Sequence, residues 1–130
     1  MIVVDAQVYG VKNAEGRLKR ASVKTQENLM ARLTDIGFLV QRESRKNAPY
    51  RDGDLEQAIT FKTGRFYVDI LVPANSSAGR YARIMHDSHY NLGVKSLAKG
   101  GNVGRLYIKR AIDDNADKIK DQLRTIFRNI

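Results

Sequence analysis

The sequence predicts an α+β fold: a small antiparallel sheet packed against a long helix in the N-terminal half and a long C-terminal helix. In two stretches, residues 22–47 and 103–128, apolar side chains recur every three or four positions, as on one face of a helix. Between them, residues 58–72 alternate apolar and polar side chains around a glycine, as in a hairpin. Because strand and helix patterns are segregated along the chain, we expect both helices to cover one face of the sheet.

The length and composition of the chain limit the class of protein. The chain of 130 residues has room for one domain, which we assign to residues 1–130. It has no cysteine, which excludes disulfides, thiolate metal sites and cysteine nucleophiles. No stretch approaches the roughly 18 apolar residues of a membrane helix. The short apolar start lacks the basic leader of a signal peptide. We therefore expect an intracellular protein without membrane contact.

The first predicted elements are a strand and a long helix. Residues 2–11 are β-branched and loosely alternating, which predicts a strand. The helix is predicted to begin between residues 15 and 22 and to end at residue 47, since Pro49 disfavours helical geometry in the residue before it. Its apolar face has spacings of four, three and four. The residues of that face are Leu29, Leu33, Ile36 and Val40.

The second half is predicted to contain a hairpin, a loop and a helix. The hairpin spans 58–72, with a two-residue turn at Thr63 and Gly64. Residues 74–104 are expected to form an irregular loop, in which the short apolar run 80–86 is read either as a strand or as a helical turn. Four of the ten glycines lie between Gly93 and Gly104. Such a stretch gains little from local contacts, so we expect it to be mobile in isolation. The last helix is predicted over about residues 103–128.

The basic surplus leaves two classes of partner open. The chain has 23 basic and 14 acidic residues, a net charge of +9, with no block of five like charges. A diffuse surplus of this kind favours docking to acidic protein faces over nucleic-acid recognition. The alternative is a small nucleic-acid-binding module that stacks bases on the sheet. Its platform would consist of Phe61, Lys62, Arg65, Phe66 and Tyr67, although the two phenylalanines are better placed in the core.

The reactive side chains of the sequence do not predict an enzyme. His86, Asp87 and His89 are the minimum of a metal site, but no further histidine or cysteine completes it. The segment 52–56 lacks the ligand spacing of a calcium loop, and the glycines do not spell a phosphate-binding fingerprint. No serine lies in a nucleophile elbow. We therefore expect no catalytic residue, no cofactor and no metal.

Two blocks of sequence carry a resemblance to a known family. Residues 42–62 read RESRKNAPYRDGDLEQAITFK. The motif positions of this first block are Ala48-Pro49, Asp52-Gly53, Leu55 and Ala58-Ile59-Thr60. Those of the second block are Tyr81-Ala82, His86-Asp87 and, after the glycine-rich stretch, Leu106-x-x-x-Arg110-Ala111-Ile112. Over residues 20–128 the series resembles the head–tail joining, neck and tail-completion proteins of tailed bacteriophages.

The resemblance implies a structural virion protein of the phage neck or tail, made in the host cytoplasm. It implies a ring of about six copies around the DNA channel, formed by head-to-tail contacts. The implied partners are other copies of the chain, portal, adaptor or connector proteins, and the tail terminator or tail-tube protein. DNA would pass through the ring without specific binding.

Two irregular segments, 50–57 and 88–104, are expected to supply the ring and partner contacts and to become ordered on assembly. Both are polar and long for loops. The candidate interface residues are Tyr50, Arg51, Asp52, Asp54, Leu55, Tyr81, Arg83, His86, His89, Tyr90, Lys95 and Lys99.

Overall fold

The computed structural model describes residues 2–5, 16–50 and 53–128. A helical turn at residues 16–19 precedes the first long helix. The elements are β1 (Ile2–Asp5), α1 (Val23–Asn47), α2 (Asp54–Ala58), β2 (Thr60–Thr63), β3 (Val68–Val72), α3 (Ala82–Asp87), α4 (Val94–Lys99), α5 (Tyr107–Asp114) and α6 (Ala116–Arg128). The predicted fold class is confirmed: this is an α+β fold whose antiparallel sheet packs on the long helix α1.

The sheet has three antiparallel strands in the order β1-β3-β2. The central strand β3 pairs Ile70 with Val4 of β1 on one side and with Phe61 of β2 on the other. Residues 2–5 form the described part of the predicted first strand, and residues 6–11 lie outside the described ranges. The predicted two-residue turn of the hairpin is wrong. Residues 64–67 connect the strands, closed by a bond from Gly64 N to Tyr67 O (3.0 Å), because Phe66 packs against the core.

Helix α1 is the element on which the rest of the core packs. It begins at the cap Ser22, whose Oγ accepts from the Thr25 N–H (3.2 Å). In its middle, Gly37 allows the sheet to approach closely, since a Cβ there would lie 2.3 Å from Cδ2 of Phe61. The predicted apolar face of α1 is buried against the sheet, α5 and α6. The same core cluster includes Ile59, Ile70, Val72, Ile108, Ile119, Leu123 and Ile126.

The predicted C-terminal helical region is present, but its continuous span over residues 103–128 is wrong, because it consists of two helices. Leu106 has φ 58°, a left-handed conformation that cannot continue a right-handed helix, so α5 begins only at Tyr107. Asn115 then separates α5 from α6. Its Nδ2 donates to Ala111 O (2.8 Å) and its carbonyl accepts from Ile119 N (3.0 Å), so one residue both closes α5 and opens α6.

The prediction of an irregular loop over residues 74–104 is also wrong, because this region contains α3 and α4. Its end is bonded to the last turn of α1. The final carbonyls of a helix have no partner within the helix. Here Lys99 Nζ donates to Arg45 O (2.6 Å) and Ala48 O (2.8 Å), and Gly104 N donates to Asn47 O (2.8 Å).

We call these contacts of Lys99 and Gly104 the α1 clamp. Lys99 also forms an ion pair with Glu56 of α2, so its ammonium joins three elements at one point. Gly104 reaches Asn47 with φ 142°, a conformation that a residue with a side chain rarely adopts. These contacts therefore hold the glycine-rich segment on the end of α1.

Replacing Lys99 with methionine tests the α1 clamp. The variant leaves two carbonyls and a partly buried carboxylate without their partner, so the free energy of unfolding should fall by about 2 kcal/mol. Lys120→Met, on the exposed side of α6, removes an equal charge and should change stability by less than about 0.5 kcal/mol. Urea unfolding of both variants gives the comparison. Equal stability of the two would contradict the clamp.

Candidate assembly surface

A groove of about 560 Å³ opens between the end of α1, α2, α3 and the start of α4. We call it the apolar groove, because most of its lining is apolar. Leu55 lies at its buried floor, and Tyr81 and Met85 of the α3 region form one wall. Tyr50 and Val94 lie on the opposite side, where both are exposed. Five predicted interface residues line it: Tyr50, Asp54, Leu55, Tyr81 and Lys95.

Helix α4 forms the outer side of the groove and is turned with its polar face inward. Ser96 is buried, and its Oγ accepts from Tyr50 N (2.8 Å) and donates to Tyr50 O (3.1 Å). Lys99, one turn further, enters the α1 clamp. Because these polar residues take the inner face, Val94 and Leu97 point outward and are 84% and 64% exposed. Val94 and Leu97 therefore form an apolar surface that is exposed to solvent.

The opposite wall is fixed by His86, which is buried against α5. Its ring makes an edge contact with Tyr107, with centroids 4.9 Å apart. Nε2 accepts from the Lys109 N–H (3.3 Å), so Nδ1 carries the proton and donates to Asp87 Oδ1 (2.7 Å). The Tyr107 hydroxyl donates to Ala82 O (2.7 Å). These bonds orient α3 so that Tyr81 and Met85 line the groove.

Several predicted interface residues have other positions. His86 is buried, and Lys99, which is partly buried, donates to Arg45 O and Ala48 O, so both side chains bond within the chain. Their assignment to an interface stays a prediction. Arg83 and His89 are exposed outside the groove lining, and Tyr90 donates to Met85 O (2.6 Å) from a half-buried position. Arg51 and Asp52 lie outside the described residues.

Sequence reasoning missed two apolar residues of the groove lining, Met85 and Val94, and the exposed Leu97 outside that lining. Val94 and Leu97 lie three residues apart in a stretch read as a loop, and that helical spacing was the available signal. The prediction that Phe61 and Phe66 belong to the core is confirmed. The alternative, a stacking platform, does not form, since Tyr67 alone of the three aromatics is exposed.

A second groove, of about 870 Å³, runs between α1 and α6. It is the more polar of the two. Arg32 Nη1 donates to Gln122 Oε1 (3.2 Å) across it, and Phe38, 59% exposed, lies on its α1 side against Phe61. Its charged lining consists of Arg32, Asp35, Arg42, Arg45, Lys118 and Asp121. This groove offers a surface of different chemistry on another side of α1.

Within the described ranges, no three histidine, aspartate or glutamate side chains come together as a metal site would require. No helix among the described residues combines the length and the apolar character needed to cross a lipid bilayer. Comparisons with protein-family models, curated proteins and solved structures found no match.

The buried Tyr107 makes the support of the groove wall sensitive to high pH. Burial, with smaller contributions from Tyr90 and Asp87, raises the pKa of Tyr107 far above its ordinary value of 10.0. Above pH 10 the unfolded chain loses the phenolic proton of Tyr107, while the folded chain keeps it. The stabilisation is thus complete below pH 10, and each further pH unit lowers the free energy of unfolding by up to about 1.4 kcal/mol.

Tyr107→Phe should remove this dependence, at a constant cost of about 1 kcal/mol for the lost bond to Ala82 O. Urea unfolding between about pH 9 and 11.5 measures the slope. Tyr67→Phe, at a half-exposed tyrosine, should keep the wild-type slope. A Tyr107→Phe variant with an unchanged slope would contradict the assignment.

Proposed function

We propose that this protein is a structural subunit of the neck or tail of a tailed bacteriophage, in the head–tail joining or tail-completion class. It would associate with copies of itself in a ring and with adjoining portal, connector or tail proteins through the apolar groove. One observation carries the proposal: residues from both blocks of the sequence resemblance line this groove. Pro49 and Leu55 come from the first block, and Tyr81 comes from the second.

The energetics of the groove suit a protein contact. Val94 and Leu97 remain exposed because the inner face of α4 is occupied, and fully burying one such side chain contributes about 1.5–3 kcal/mol. Tyr50 and Tyr81 add aromatic side chains, which are enriched at the centres of protein interfaces. A partner that covered the groove would therefore gain several kcal/mol from apolar burial alone.

A ring also needs a second surface that differs from the first, since head-to-tail contacts join unlike faces. The groove between α1 and α6, with the exposed Phe38, supplies a candidate for that second surface. The proposal depends on the position of the motif residues and on the exposed apolar side chains of α4.

Placing a charge on the groove tests the proposal. Val94→Glu should weaken self-association, or binding to purified connector or tail proteins, by at least about tenfold, because the carboxylate would be buried at the contact. Leu97→Glu should act in the same direction. Mass photometry or light scattering after size-exclusion chromatography measures the assembly, and circular dichroism verifies that the variants fold.

Val23→Glu is the matched control, since Val23 is also the first residue of a helix and is 72% exposed. It should assemble like the wild type. Assembly of Val94→Glu at wild-type strength, or equal loss in the Val23→Glu control, would contradict the proposed use of the groove.

A further inference from the structure

The N-terminal end of α1 carries nearly half of the basic surplus of the chain. Residues 16–27 and the turn 64–67 contain five basic residues and one acidic residue, Glu27, whereas the whole chain has a net charge of +9. We call this region the basic end. Its cations are Arg17, Lys19, Arg20, Lys24 and Arg65. The first turn of α1 contains no acidic residue that would offset them.

Gln26 holds the two segments of the basic end together. Its Nε2 donates to the carbonyls of Leu18 (3.0 Å), Lys19 (3.3 Å) and Ala21 (3.3 Å). Its Oε1 accepts from Arg65 Nη2 (2.6 Å) and Nε (3.2 Å). Leu18 is fully buried and anchors the turn in the core. The cations therefore project from a fixed framework and not from a loose tail.

Arg65 is held in place by its contacts with Gln26 and Phe66. Two of the five N–H groups of a guanidinium are used on Gln26, and the group lies 5.4 Å from the centre of the Phe66 ring. Tyr67, the next residue, is 50% exposed. Arg20 and Lys24 are exposed and make no ion pair with another described side chain. Positive charge and an accessible aromatic ring thus lie side by side.

The residue composition of the basic end favours phosphate over protein carboxylate as its ligand. Lysine is depleted at protein interfaces, whose centres are apolar, while lysine and arginine together are the usual contacts of nucleic-acid phosphates. The exposed large apolar side chains here are Val23 and Tyr67 alone among the described residues of the basic end. That is too little apolar surface for the core of a protein contact.

We propose that the basic end binds the phosphate backbone of nucleic acid, independently of sequence, through Arg20, Lys24 and Arg65. Binding there is separate from the apolar groove and goes beyond the proposed structural function. Because each neutralised phosphate releases counterions, affinity should fall with salt, with a log–log slope of about −3 for three contacts on duplex DNA.

Fluorescence anisotropy with labelled DNA between about 50 and 200 mM salt tests the site. The double variant Arg20→Gln/Lys24→Gln should bind at least about tenfold more weakly at low salt and reduce the slope by about 2. Lys118→Gln/Lys120→Gln, on α6, removes the same charge elsewhere and should keep the wild-type slope. Duplex and single-stranded probes of equal length distinguish the two forms of the backbone, since the slope per phosphate is smaller for single strands.

Three results would overturn the proposal. The first is no binding of either probe at the lowest salt concentration. The second is an equal loss in both double variants, which would indicate a general effect of net charge. The third is binding of polyglutamate as strong as that of DNA of equal charge, which would identify an acidic protein face as the ligand.

Discussion

The last turn of α1 imposes the constraint on which the rest of the molecule depends. Pro49 prevents the helix from continuing, and the final carbonyls lie where α2 and the glycine-rich segment cover them. Their partners, Lys99 and Gly104, come from about fifty residues further along the chain. Satisfying these carbonyls draws the glycine-rich segment back over the end of α1. That return path places α4 beside Tyr50 and creates the apolar groove.

The same constraint explains why the groove is apolar on its open side. A short surface helix ordinarily buries its apolar residues and exposes its polar ones. In α4 the clamp and the Ser96 bonds to Tyr50 reserve the inner face for polar atoms, so Val94 and Leu97 are left outside. An intrachain requirement for hydrogen bonds thus generates an exposed apolar surface. On the opposite wall, His86 uses both ring nitrogens within the chain and contributes by holding α3 in place.

The sequence predicted the elements whose signal is local and missed those that depend on distant partners. The stripe from Leu29 to Val40 and the alternation around Gly64 specify α1 and the two paired strands, because periodicity alone defines them. Helix α4 was missed because its inward-facing residues are polar. Polar residues at those positions break the hydrophobic periodicity by which a helix is predicted. His86 was assigned to the surface because Tyr107 and Lys109, which bury it, lie more than twenty residues away. The break at Asn115 was missed because the apolar stripe continues through it.

Native-state hydrogen exchange of the Gly104 amide tests the account most directly, in the isolated protein at a concentration where it is monomeric. Gly104 N–H donates to Asn47 O, and Ala48 N–H, at the same end of α1, donates to Ser44 O (2.9 Å). If the segment is bound to α1 in the isolated chain, the Gly104 amide should be protected to a degree comparable with Ala48. Exchange of Gly104 at the rate of an unfolded peptide, with Ala48 still protected, would contradict it.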